Sequence, residues 1–156
     1  MGKALFYHLT RNPLEVTARS LIARALTQEM RVLVRGRDRA RLEALDAALW
    51  QGDKAHFLPH GLVGGPHDSD QPVLLSTGQD APNRARIVMA IDRAEVAPEE
   101  VAGLERLWVM FNGHDPDELA HARAQWKAMV AAGVAAEYWS EESGRWDCKA
   151  RSGGGA

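Results

Sequence analysis

A strand, helix, strand, helix alternation across residues 1–52 constrains the fold of this chain more than any other feature. Lys3 to Leu9 alternates, with Leu5, Tyr7 and Leu9 on one side, and predicts a strand. Asn12-Pro13-Leu14-Glu15 then reads as a helix start. Asn12 serves as the cap, Pro13 sits where its missing N–H costs nothing, and Glu15 follows three residues after the cap. Val16, Ile22, Ala23 and Leu26 keep helical spacing from there. Arg31-Val32-Leu33-Val34 is a short apolar run of the kind found in buried parallel strands, and Asp38 opens a second helix carrying Leu42, Leu45, Leu49 and Trp50. Two strands joined through a helix form a βαβ unit, so the sheet is expected to be parallel.

Further along, His56 to Leu62 suggests a short strand entering a turn, and Gly64-Gly65-Pro66 an exposed loop. Val73 to Ser76 and Arg86 to Ile91 predict strands, Pro98 to Gly103 a short helix, and Leu107 to Phe111 a central strand. Asp115-Pro116-Asp117-Glu118 repeats the cap, proline and acid of the first helix, opening a helix from Pro116 to Ala132 that Gly133 ends. Val134 to Trp139 predicts the last strand. The expected architecture is a three-layer α/β domain with a mostly parallel sheet and helices on both faces, spanning residues 1–140. Residues 141–156 read as an acidic, then Gly-rich extension with a mobile end, and Cys148 falls in it.

With 156 residues, 46% apolar and 26% charged, the chain has the size and composition of one globular domain. Nineteen basic against 21 acidic residues give a net charge of −2, which argues against a domain-wide positive field for nucleic acid. One cysteine forms no internal disulfide and fits a reducing compartment. No apolar run approaches the roughly 20 residues that span a bilayer, and no signal-peptide pattern opens the chain. A cytoplasmic protein without membrane partners is expected.

Nucleotide-binding chemistry is the first test that this fold class invites. The first strand-to-helix connection, His8-Leu9-Thr10-Arg11-Asn12-Pro13, has no glycine to let the backbone approach a pyrophosphate, and no Gly-Lys-Ser/Thr sequence occurs. The fold is therefore nucleotide-binding-like without a phosphate loop. His56, His60 and His67 cluster near Asp68 and Asp70, but match no zinc spacing. No Gly-x-Ser-x-Gly elbow appears, and Cys148 has no evident base beside it. Neither a catalytic residue, a metal site nor a cofactor is assigned.

Charge placement is more informative. Arg31 to Arg41 holds five arginines against Asp38 alone, read first as a solvated helix start and second as a direct DNA contact. From Glu95 to Glu118 there are seven acids and one base, whereas Leu119 to Val134 holds Arg123 and Lys127 and no acid. Four residues apart on a helix, those two cations share a face, with Trp126 one turn from Arg123. A guanidinium, an ammonium and an aromatic edge suit an anionic peptide with a hydrophobic end. Periodicity alone places Trp126 on the buried stripe with Leu119, Ala122, Met129 and Val130.

Phe6-Tyr7, Arg31 to Val34, Leu45-Asp46-Ala47-Ala48-Leu49-Trp50, Phe57-Leu58-Pro59-His60-Gly61-Leu62, Pro72-Val73 and Gln125-Trp126-Lys127-Ala128 occur in this order. Together these blocks resemble the chi subunit of bacterial DNA polymerase III, over about residues 3–140. The resemblance implies a non-catalytic accessory subunit that binds the acidic, phenylalanine-ended C-terminal tail of single-stranded-DNA-binding protein. It implies a second surface for the psi subunit of the clamp loader, so that nucleic acid is met only indirectly. Carried over by position, Arg123 matches the arginine for the tail's carboxylate and Lys127 the neighbouring lysine, Trp126 replaces the family's tyrosine in the pocket wall, and Gly133 and Val134 fall where the helix end closes it. Trp50, Phe57, Pro59 and His60 match the psi-facing surface. The alternative is a small-molecule or nucleotide-binding α/β enzyme.

Overall fold

A computed structural model describes residues 2–51, 59–78 and 80–153. In chain order the elements are β1 (Lys3–Leu9), α1 (Leu14–Thr27), β2 (Val32–Arg35), α2 (Arg39–Trp50), β3 (Gly61–Leu62), β4 (Val73–Ser76), β5 (Ile87–Ala90), α3 (Pro98–Val101), β6 (Arg106–Asn112), α4 (Pro116–Ala131), β7 (Ala135–Ser140) and β8 (Asp147–Ser152). One eight-stranded sheet runs in the order β3-β4-β2-β5-β6-β1-β7-β8, and every neighbouring pair is parallel except β7 with β8.

Each strand feeds side chains to both faces, and the two faces bury separate cores. Leu5, Leu9, Val32, Val34, Met89 and Met110 pack with Ile22 of α1 and Leu42 and Leu45 of α2. Ala4, Phe6, Leu33, Leu107, Val109 and Phe111 pack with Val101 of α3 and Ala122 and Met129 of α4. The expected three-layer α/β architecture is therefore the observed one. From β1 the chain crosses through α1 to β2 on one side, while from β6 it crosses through α4 to β7 on the other. The reversal falls at the carboxyl ends of β1 and β6, where open α/β sheets usually form their ligand crevice.

Two local expectations are corrected. Asn12 does not cap α1; Pro13 occupies the N-cap without a side-chain bond. The Asn12 amide instead donates to Glu141 Oε2 at 2.8 Å. Cys148 lies not in a loose tail but in β8, opposite Trp139 of β7. By contrast α4 opens as expected, with Asp115 accepting from the N–H groups of Asp117 at 2.9 Å and Glu118 at 3.3 Å. Gly133 follows its end at φ +77°, where a side chain would be strained.

Candidate interaction site on α4

The site is built on the outer part of α4 and on the strand beside it. Arg123 and Lys127 are exposed, one turn apart, and neither makes a hydrogen bond or ion pair with a described residue. Trp126, between them in sequence, is half-buried rather than fully enclosed. Its ring meets Phe6 of β1 edge-on at 5.3 Å and Tyr138 of β7 edge-on at 5.9 Å. Its neighbour on the predicted stripe, Val130, is 39% exposed, so the stripe is narrower than periodicity suggested. Gly133 is exposed and Val134 packs half-buried against the same core.

Sequence reasoning missed the floor of this region. Tyr138 Oη lies 2.9 Å from His8 Nδ1, and His8 stacks on Phe111 with ring centroids 5.1 Å apart. Phe111 and Tyr138 are themselves 5.9 Å apart, so five rings (Phe6, His8, Phe111, Trp126 and Tyr138) form one connected group. Burial pushes the His8 imidazole below its ordinary pKa; Arg123 and His114 push it the same way, against Glu142 and Glu141. Burial also raises the Tyr138 phenol, opposed by the positive charge of Arg123. Arg123 thus acts electrostatically on both members of the pair. The signal for Tyr138 was the alternation of β7, but only the pairing of β7 with β1 sets it opposite Phe6.

At the carboxyl end of β1, three backbone N–H donors of the β1–α1 loop are taken by the protein's own carboxylate. Glu141 Oε1 accepts from the N–H groups of Thr10 at 3.0 Å, Arg11 at 2.7 Å and Asn12 at 2.8 Å. Burial alone would raise this carboxyl, but the bonds from Asn12, Arg11 and Thr10 outweigh it and hold it below the usual range. A cavity of about 400 Å³ beside this loop is lined by Arg11, Arg41, His114 and Glu118, among others.

The surface around Trp50 is organised differently. Trp50, the last residue of α2, is 51% exposed and its ring lies 4.2 Å from that of His60. His60 is buried, with Nε2 3.2 Å from the Asp46 carbonyl and 3.3 Å from its carboxylate. Pro59 is half-buried, and Phe57 lies outside the described residues, as does His56. His60 thus supports the Trp50 ring from beneath.

Most of the arginine-rich segment is engaged within the molecule. Arg35 is buried against Glu100 at 3.1 Å and Arg31 donates to the carbonyls of Ser69 and Asn83. Arg39 pairs with Glu43 at 3.3 Å, and Arg41 lies 3.9 Å from Asp92 and 3.8 Å from Glu118. Among the described residues no group of three or more His, Cys, Asp or Glu is placed to hold a metal ion, and no helix is long and apolar enough to cross a membrane.

The profile of the DNA polymerase III chi subunit family, HolC, matches residues 1–137. The chain belongs to this family. No curated protein shows a significant match to it. As a chi-family chain it is a subunit of a DNA polymerase III assembly, with partners in the replication complex. The match ends inside β7, so Tyr138, Glu141 and the whole of β8 lie beyond it.

Proposed function

We propose that this chi-family chain is a non-catalytic accessory subunit. It bridges the clamp loader to single-stranded-DNA-binding protein by gripping that protein's acidic, phenylalanine-ended tail. The observation that carries this reading is the pair Arg123 and Lys127, exposed and unpaired among the described residues, beside the half-buried edge of Trp126. Arg123 takes the terminal carboxylate, Lys127 adds attraction for the acidic residues before it, and Trp126 with Val134 and the Gly133 turn receives the phenylalanine ring.

Burying a phenylalanine side chain contributes about 2 kcal/mol, and a charge-assisted carboxylate bond about as much again. Trp50 and His60, together with Pro59 and Phe57, are the residues assigned to the psi subunit. The support for this is the half-exposed Trp50 ring held over the buried His60. The protein acts in the cytoplasm and meets nucleic acid through its partners.

Calorimetric titration of a short acidic peptide ending in phenylalanine tests the tail site. Arg123→Ala should weaken binding by about thirtyfold, the equivalent of about 2 kcal/mol, with the unfolding transition unchanged. Equal affinity for the two proteins would remove the assignment.

A further inference from the structure

The geometry points to Tyr138 as a second donor to the tail's terminal carboxylate, held for that task by His8. This inference rests on the reading of α4 as the tail site. Tyr138 is joined to that site by its edge contact with Trp126 at 5.9 Å and by the charge of Arg123, one turn before Trp126 on α4.

The direction of the bond between Tyr138 and His8 decides whether the phenol has a proton to offer. Two arrangements fit an Oη to Nδ1 distance of 2.9 Å. In the first, the phenol donates to Nδ1 and the imidazole proton sits on Nε2. In the second, Nδ1–H donates to the phenol oxygen and Nε2 keeps a lone pair. Nε2 is buried, has no hydrogen-bond partner among the described residues and lies against Gly113, where any side chain would collide with it.

An N–H buried without an acceptor costs the full desolvation of a donor, and buried donors left unpaired are rarer than unpaired acceptors. The second arrangement is therefore the lower in energy. The imidazolium, with a proton on both nitrogens, would bury the same orphan donor, in accord with the lowered His8 pKa. With His8 donating from Nδ1, the Tyr138 O–H is released to donate to a ligand. A carboxylate held by Arg123 is the acceptor this arrangement suits, because a neutral donor and a guanidinium together bind both of its oxygens.

His8 is a positioning residue here and Tyr138 the contact. Tyr138 lies on β7, one residue beyond the part of the chain that the family profile matches.

The test compares an acidic peptide ending in a free phenylalanine carboxylate with the same peptide ending in an amide, titrated against the native protein, Tyr138→Phe and Arg123→Ala. Tyr138→Phe should weaken the carboxylate peptide by about tenfold and leave the amide peptide as it was. An equal effect on both peptides, or none on either, overturns the role of Tyr138 while a loss with Arg123→Ala keeps the tail site standing. Unchanged binding to Arg123→Ala removes the tail site and this inference with it. Independently of any variant, the ¹⁵N shifts of His8 in the native protein should show the proton on Nδ1; a proton on Nε2 overturns the inference.

Discussion

Positive charge is concentrated in two regions, and the two use it in opposite ways. Residues 31–41 hold five arginines, of which Arg31, Arg35, Arg39 and Arg41 reach carbonyls or carboxylates of the same chain. On α4 there are only Arg123 and Lys127, and neither finds a partner among the described residues. The denser cluster therefore serves the fold, while the sparser pair is available to a ligand. Charge density along a sequence reports how many cations there are, but carbonyls and carboxylates brought from distant segments decide which remain free. The same contrast weakens the direct-DNA reading of residues 31–41, since a paired guanidinium has less field to offer a phosphate.

The largest effect expected from this contrast is on Arg35. Its side chain is 4% exposed and pairs with Glu100, so Arg35→Ala leaves a partly buried carboxylate without its cation. Urea denaturation should show a loss of about 3 kcal/mol, with tail-peptide affinity unchanged once the protein is folded. A variant as stable as the native protein would place Arg35 with the open cations instead. Removing Arg123 should do the reverse, costing affinity and not stability.

A smaller effect is expected from pH, and it separates the His8 region from the Glu141 latch. His8 has its pKa lowered from 6.5 in the folded protein, so the unfolded chain binds the proton first and stability falls as pH drops below about that value. Glu141 is held below 4.5, so its contribution is complete above that value and is lost only at lower pH, as the carboxylate protonates in the folded state. Denaturation midpoints measured from pH 8 to pH 3 should fall in two stages, the lower one shared by Glu141 with Asp115 and Glu137, whose carboxyls are also held low. A flat profile between pH 7 and pH 5 would contradict a half-buried, neutral His8.

The smallest effect is on Arg39. Its pair with Glu43 joins two half-exposed side chains one turn apart, and Arg39→Ala should change stability by no more than about 0.5 kcal/mol. A larger loss would mean that its bond to the Val63 carbonyl at 3.2 Å anchors the loop after β3.

Much of the fold was legible because local chemistry and tertiary packing agree. β1 spans Lys3–Leu9 and β4 Val73–Ser76 as the alternation and the apolar run predict, and α4 begins at Pro116 behind its Asp115 cap. Disagreement arose where a residue has a better partner far along the chain. Asn12 has the chemistry of a helix cap, yet Glu141, 129 residues away, takes its amide. β8 was missed because Asp147–Ser152, with Lys149 and Arg151 exposed, shows little apolar alternation; β7 supplies the edge that pairs with it. Phe57 lies outside the described residues, and Trp50, Pro59 and His60 are placed without it.

The sequence by itself determined the alternation of strands and helices, the two-faced sheet, the absence of a glycine phosphate loop and the spacing of Arg123, Trp126 and Lys127. These follow from neighbours within a turn or a strand, where periodicity and capping act. The tertiary structure alone decided that Glu141 fills the β1–α1 loop, that most arginines of residues 31–41 are engaged, and that Tyr138 reaches His8. Each of those depends on which strands lie side by side, and in this sheet β1 sits between β6 and β7, segments about a hundred residues or more away in the chain.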